Sequence, residues 1–230
     1  MAIYGAQRYI EAIETFQDDA REIGQCSQHA NTKYSTLSSE LRNKSVSPSE
    51  AESVIRKAIN VQLDSTPLRL LDTTTGLLCD REAQISAFEK STEYNELLLS
   101  IMAHPDLPLG RIADAVATYF GYDMLSHRLG ENEPLLHDIQ DKVVYKLKEA
   151  GGFMKLQSFC KLARHMRYHW AWVDTCCINQ NNNAELQKSL NSTFTWYRHS
   201  APTIVYLSGV PSSSKFGALA QSAWNTRGWT

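Results

Sequence analysis

Asp174, Cys176, Cys177, Asn179 and Gln180 stand close together in the stretch Trp170-Ala-Trp-Val-Asp-Thr-Cys-Cys-Ile-Asn-Gln180. They follow Trp170 to Val173, a run of apolar or small residues too short for a helix that ends on a charge, as a buried strand does at a polar edge. Asp174 is therefore expected where a strand stops. In a sheet covered by helices on both faces, ligands bind at that end, because the connecting loops open into a crevice. A second polar strand end is read at Ser126, His127 and Arg128, just beyond the apolar run that starts at Tyr122. An arginine there could hold a phosphate through two parallel hydrogen bonds, and a carboxylate could orient a ribose or a loop. The plainer alternative is that Asp174 caps the loop after it and Arg128 pairs with it. The ligand-binding candidates are thus Ser126, His127, Arg128, Asp174, Asn179 and Gln180, with no residue assigned a catalytic role.

Other reactive groups give weaker signals. His165 and His169 are spaced to share a helix face, as zinc ligands can, but Met166 stands where a general base would follow the first histidine. Neither they nor Cys176 and Cys177 make a recognised zinc spacing, so no metal is expected; the histidines read as surface residues and the thiols as buried ones. Gly151-Gly152 lacks both the lysine of a P-loop and the third glycine of a dinucleotide turn. The basic face around Lys161 and Arg167 reads as solvated, with Phe153, Leu156, Phe159, Cys160 and Ala163 forming the apolar side of the same segment and Lys155 lying off it.

The elements that must position these residues follow from periodicity and caps. Residues 3–24 carry Ile10, Ile13, Phe16, Ala20 and Ile23 at helical spacing. Ser47-Pro-Ser-Glu50 offers a hydroxyl cap, a proline at the first helical position and a glutamate at the third, predicting a second helix over about 48–62. Residues 1–63 are thereby expected to form a helical hairpin, 64–67 a linker, and 68–230 an α/β domain. Within that domain a short strand, Leu68-Arg-Leu-Leu71, ends at Asp72, and Asp80 and Ser91 read as caps of two helices. A further helix covers about 109–120, a strand starts at Tyr122, a crossover helix spans 152–167, and a strand starts at Trp170. Another helix begins at Glu185, and Thr203–Ser208 reads as a third buried strand. Strand, helix and strand in succession imply parallel pairing with right-handed crossovers. Two tryptophans in the final Trp224-Asn-Thr-Arg-Gly-Trp-Thr230 suggest that the domain is cut short, since chain ends usually bury little.

Composition limits the function. A hydrophobic fraction of 43% supplies a core, while a formal charge of -2 gives no footprint for nucleic acid, and no apolar run approaches the ~20 residues of a membrane helix. Met1-Ala-Ile-Tyr-Gly lacks the basic and apolar succession of a secretory signal, and an odd set of five cysteines reads as reduced thiols. A cytoplasmic protein is expected, without nucleic-acid or membrane partners.

Several segments together resemble the fungal heterokaryon incompatibility (HET) domain. They are Leu68-Arg-Leu-Leu-Asp72, Tyr122-Asp-Met-Leu-Ser-His127, Ala171 to Gln180, Glu185 followed by Ser189 to Arg198, Val205-Tyr-Leu-Ser208, and Trp224 to Thr230. The resemblance covers roughly 68–230 and marks Asp174, Cys177, Gln180, Glu185, Tyr197, Arg227, Gly228 and Trp229 as family-motif positions. This chain departs from the family pattern at Leu129, where tryptophan is usual, and at Asn179, where aspartate is usual. The resemblance implies an intracellular protein of non-self recognition and cell-death signalling, acting through association of its α/β domain with protein partners or with itself. It also implies a distant likeness to Toll/interleukin-1 receptor (TIR) domains and a TIR- or flavodoxin-like sheet. Because some TIR domains cleave NAD, NAD is a possible substrate and no cofactor is expected; the matching glutamate would fall just past Thr230. A third, plainer alternative, following from the domain being cut short, is a partner-binding remnant without catalysis or signalling output.

Overall fold

The computed structural model describes residues 46–148, 150–207 and 210. The helix expected over 3–24, Ser208, and the motif positions Arg227, Gly228 and Trp229 lie outside the described residues. The first described helix, α1 (Pro48–Asp64), starts as its sequence dictates. Ser47 Oγ accepts from the Glu50 amide at 3.3 Å and the Glu50 carboxylate accepts from the Ser47 amide at 2.9 Å, which satisfies two amides that the helix itself leaves without partners. Its buried stripe, Ala51, Ile55, Ala58, Ile59 and Leu63, joins the common core and packs against α3 (Thr92–Ala103) and α4 (Leu109–Tyr119). Asp80 and Ser91 cap α2 (Arg81–Glu89) and α3 through bonds of 2.8 and 3.1 Å to Ala83 and Tyr94 amides, as their sequence positions imply.

The sheet has five strands in the order β2-β1-β4-β3-β5: β1 (Leu70–Asp72), β2 (Leu78–Cys79), β3 (Tyr122–His127), β4 (Trp170–Trp172) and β5 (Thr203–Tyr206). β3 pairs in parallel with β4 on one side and with β5 on the other. β1 runs antiparallel to both β4 and β2, so the sheet is mixed, with one strand reversed. Three sequence expectations change here. The strand from Tyr122 extends through His127, because Ser126 and His127 pair with Val205 and Tyr206, so both residues lie in the strand and not beyond it. The strand near Asp72 begins at Leu70. β5 is half-buried along its length and, among the described residues, forms a sheet edge, where a fully buried strand was expected.

The unforeseen β2 arises from a tight turn. Asp72 accepts from the Thr74 and Thr75 amides at 2.7 and 3.1 Å, and Gly76 takes φ +73°, a conformation that a side chain disfavours. Space forbids a side chain there as well: a Cβ on Gly76 would stand 2.8 Å from the Tyr145 ring, whose hydroxyl donates to the Thr73 carbonyl.

The short helix α5 (Leu136–Ile139) follows β3, and two longer crossover helices close the layers. α6 (Gly152–His165) links β3 to β4, and α8 (Asn183–His199) links β4 to β5. The two connections step across the sheet in opposite directions, so right-handed crossovers place their helices on opposite faces. Side-chain parity agrees. Tyr122 donates to the Trp196 carbonyl of α8 at 2.8 Å, whereas His127, of opposite parity on β3, meets Lys155 of α6. Because β3 and β4 are parallel neighbours, their carboxyl ends lie side by side at one edge of the sheet.

All six residues of β3 are buried, including Asp123, whose carboxyl oxygens have no hydrogen-bond partner among the described residues. Burial pushes the Asp123 carboxyl up to about 8 from the ordinary 3.8. A carboxyl raised on folding binds more protons in the folded than in the unfolded chain between those values, so its contribution to stability falls as pH rises from about 4 to about 8. The effect is on the order of a few kcal/mol. Asp123→Asn removes this slope, and urea unfolding at pH 5 and pH 8 should show the wild type losing stability relative to the variant; parallel curves would count against it.

Candidate functional site

At that edge the structure joins His127, the last residue of β3, to Asp174, the first of the short helix α7 (Asp174–Cys177) that follows β4. His127 Nε2 lies 3.0 Å from Asp174 Oδ1, and its other ring nitrogen, Nδ1, lies 2.7 Å from Lys155 Nζ. Lys155 also pairs with Glu133, whose Oε1 accepts from the Gly130 amide at 2.7 Å. Four side chains from two strand tips, a loop and a crossover helix therefore form one chain, Glu133–Lys155–His127–Asp174.

The chemistry of the chain follows from its donors. An ammonium group has only hydrogens to offer, so His127 Nδ1 must accept, and the ring proton belongs on Nε2, where it is donated to Asp174. Burial grades along the chain: side-chain exposure is 7% at Lys155, 9% at Glu133 and 1% at His127 but 27% at Asp174. Asp174 is the member that meets water. The Tyr206 ring, with its centroid 5.4 Å from Lys155 Nζ, adds a cation–π contact that helps keep the ammonium inside.

Lys155 was read from its helix position as lying off the apolar face, yet it is buried, because β3 supplies a polar residue directly beneath it. Glu133 reaches it through a close approach. A Cβ on Gly152 would meet the Asn132 carbonyl oxygen at 2.7 Å and Glu133 Cα at 2.8 Å, so only glycine lets this loop lie against the start of α6. Both residues escaped sequence reasoning; the available signal was a glycine at a helix start facing a loop that bears an acid.

The remaining candidates divide. Arg128 is exposed and makes no ion pair with Asp174, whose partner is His127. Ser126 is buried on the opposite parity from His127. Gln180 donates to the Thr175 carbonyl at 3.3 Å and the Asn179 side chain accepts from the Asn181 amide at 3.1 Å, so both amides brace their own loop. Glu185 ties that loop down: it accepts from the Asn179 amide at 2.8 Å and pairs with Arg69, at the start of the β1 segment. Tyr197 of α8 lies against Trp172 with ring centroids 6.3 Å apart and donates to the Leu125 carbonyl at 3.4 Å.

Cys177 is buried and accepts weakly from the Val173 amide at 3.5 Å. The Cys176 thiol is held well above its ordinary value by its hydrogen bond to Cys177 and by burial, and burial raises Cys160 likewise, so these two are packing groups rather than nucleophiles. α6 stops at His165, with Arg167 at φ +67° beyond it, so His165 and His169 do not share a helix face as their spacing suggested. His169 instead stacks on Tyr119 at 4.7 Å, and among the described residues no group of three His, Cys, Asp or Glu side chains could hold a metal ion.

The Glu185 anchor generates a test. Glu185→Gln leaves the partly buried Arg69 without a counter-charge and weakens the bond to the loop amide, which should cost about 1–3 kcal/mol. Chemical denaturation measures it, and an unchanged midpoint would show that the loop is held by other contacts.

Comparison with known proteins bears on the same segments. Residues 122–221 match the family described as heterokaryon incompatibility protein (HET). Vegetative incompatibility protein HET-E-1 of Podospora anserina is 36% identical over 136 residues, which is 54% of this chain and 9% of that protein. The chain thus spans less than a tenth of the length of this curated relative. No solved structure matches. The matched residues include both strand tips, the crossover helices and every member of the Glu133–Lys155–His127–Asp174 chain, and over them the chain is similar to the heterokaryon incompatibility (HET) family.

Proposed function

We propose that this protein acts in fungal non-self recognition, its HET domain arresting growth or killing the cell when it associates with protein partners or with copies of itself in the cytoplasm. The observation that carries this reading is the match over 122–221, together with likeness to a protein named for vegetative incompatibility. The composition agrees, with a formal charge of -2 that offers no surface to nucleic acid. Among the described residues no helix is long and apolar enough to cross a membrane. The test is expression from a regulated promoter in a filamentous fungal host. The wild type should arrest growth, and Asp174→Asn, which removes the solvent-facing charge of the buried chain, should restore it at equal protein level. Normal growth with well-expressed wild type overturns the reading.

A second reading, hydrolysis of NAD, is favoured by one feature: a half-exposed carboxylate held at the carboxyl ends of adjacent parallel strands. In this reaction the bond between the nicotinamide nitrogen and the ribose anomeric carbon breaks, and nicotinamide leaves with the electron pair. A carboxylate stabilises the positive charge growing on the ribose. Water then adds to that carbon and releases a proton, leaving ADP-ribose. NAD is here a substrate and no cofactor is needed. Incubating the purified chain with NAD should release nicotinamide, with Asp174→Asn reducing the rate by about 10²-fold or more. Arg128→Ala reports whether the exposed arginine holds the diphosphate; an unchanged rate removes it from the site.

A further inference from the structure

We propose that Lys155 and Glu133 are positioning residues for Asp174, acting through the tautomer of His127. The inference rests on the reading of Asp174 as the working group of the strand-tip site, and assigns to the two residues a role that neither the family match nor the sequence motifs give them.

The geometry carries it in three steps. First, His127 is nearly sealed, with 1% side-chain exposure, so its ring nitrogens depend on protein partners rather than water. Second, those partners are of opposite kind: an ammonium on Nδ1 at 2.7 Å and a carboxylate on Nε2 at 3.0 Å. Only the ring with its proton on Nε2 satisfies both. Third, a competing arrangement is built in beside it. Glu133 Oε1 stands 3.9 Å from Nδ1, close enough to take a proton-bearing Nδ1 if the ammonium were removed. In that arrangement Nε2 would be bare and would face Asp174 Oδ1, placing two acceptors against each other. Asp174 would lose its buried donor and turn away. Lys155 holds the ring in the first arrangement, and Glu133, itself anchored by the Gly130 amide at 2.7 Å, holds Lys155. The working carboxylate is thus fixed through two intermediaries, as ligating histidines are fixed by the groups behind them.

The test uses the full chain labelled with 15N, in long-range proton–nitrogen spectra of the histidine rings, with His127 assigned by its absence in His127→Gln. The wild type should show a bare Nδ1 and a protonated Nε2. Lys155→Arg, which keeps a cationic donor, should retain that pattern, whereas folded Lys155→Met should move the proton to Nδ1. A protonated Nδ1 in the wild type, or an unchanged tautomer in folded Lys155→Met, overturns the proposal. Should Lys155→Met not fold, the wild type and Lys155→Arg decide, since a protonated Nδ1 in either is fatal.

Activity supplies a second arm. Lys155→Met should lower nicotinamide release or growth arrest by about 10²-fold, the loss typical of a reacting group displaced by an ångström. The double variant Lys155→Met with Asp174→Asn should be no worse than Asp174→Asn alone, because the lysine acts through that carboxylate; fully additive losses overturn the proposal. A wild type that neither arrests growth nor releases nicotinamide refutes the functional reading while leaving the tautomer result to stand or fall by itself.

Discussion

The parallel register of β3 against β4, Tyr122 opposite Trp170, Asp123 opposite Ala171 and Met124 opposite Trp172, is the constraint on which the site depends. It sets how far each strand tip projects. A slip of one residue would turn His127 to the other face of the sheet, away from α6 and from Asp174. The register is specified by burial on both faces, since Trp170, Trp172, Tyr122 and Met124 are all nearly inaccessible and aromatic packing ties them to α8 through Trp172 and Trp196, 5.7 Å apart between centroids. Site and core are consequently one problem: the same large apolar side chains that stabilise the sheet determine which polar groups meet at its edge.

Within that frame, the buried lysine sets the local order. An ammonium removed from water is costly unless its hydrogens are all engaged, and here a carboxylate, an imidazole nitrogen and an aromatic face share the task. Such an arrangement stabilises little compared with an apolar core of the same volume, but it tolerates few alternatives. Gly152 shows how tightly the surroundings are fitted, because the loop bearing Glu133 occupies the place of a side chain. Asp123, by contrast, is a polar group that the core encloses without a partner among the described residues, two residues along the same strand from a leucine and four from the histidine.

Sequence reasoning recovered what local rules govern. Helix starts at Ser47, Asp80 and Ser91 were legible because capping uses residues three apart, and the strands at Tyr122 and Trp170 were legible because burial on both faces leaves a continuous apolar run. That the tips of β3 and β4 share an edge followed from the succession of strand, helix and strand, which implies parallel pairing. What stayed hidden was decided at long range. β2 is two residues long and carries no periodicity, and its return against β1 runs through the tight turn at Gly76 that Tyr145 covers. That Asp174 meets His127 rather than Arg128 depends on strand parity at the last paired residue, which extends one step further than composition suggests. Lys155 looked like one more basic residue on an amphipathic helix, and only a polar residue beneath it, distant in sequence, makes its burial possible.

The reversed strand β1 has a consequence for biosynthesis. β1 is flanked by β2, made moments after it, and by β4, whose pairing partner for Leu71 is Ala171, translated some hundred residues later. β3 likewise waits for segments that follow long connections. Until Trp172 has left the ribosome the nascent chain holds a lone two-stranded ribbon and a set of helices, and a ribbon of that size is marginal in water. The sheet therefore assembles late and nearly at once, so a ribosome stalled before that point would present unpaired strand edges to chaperones rather than a smaller, finished fold.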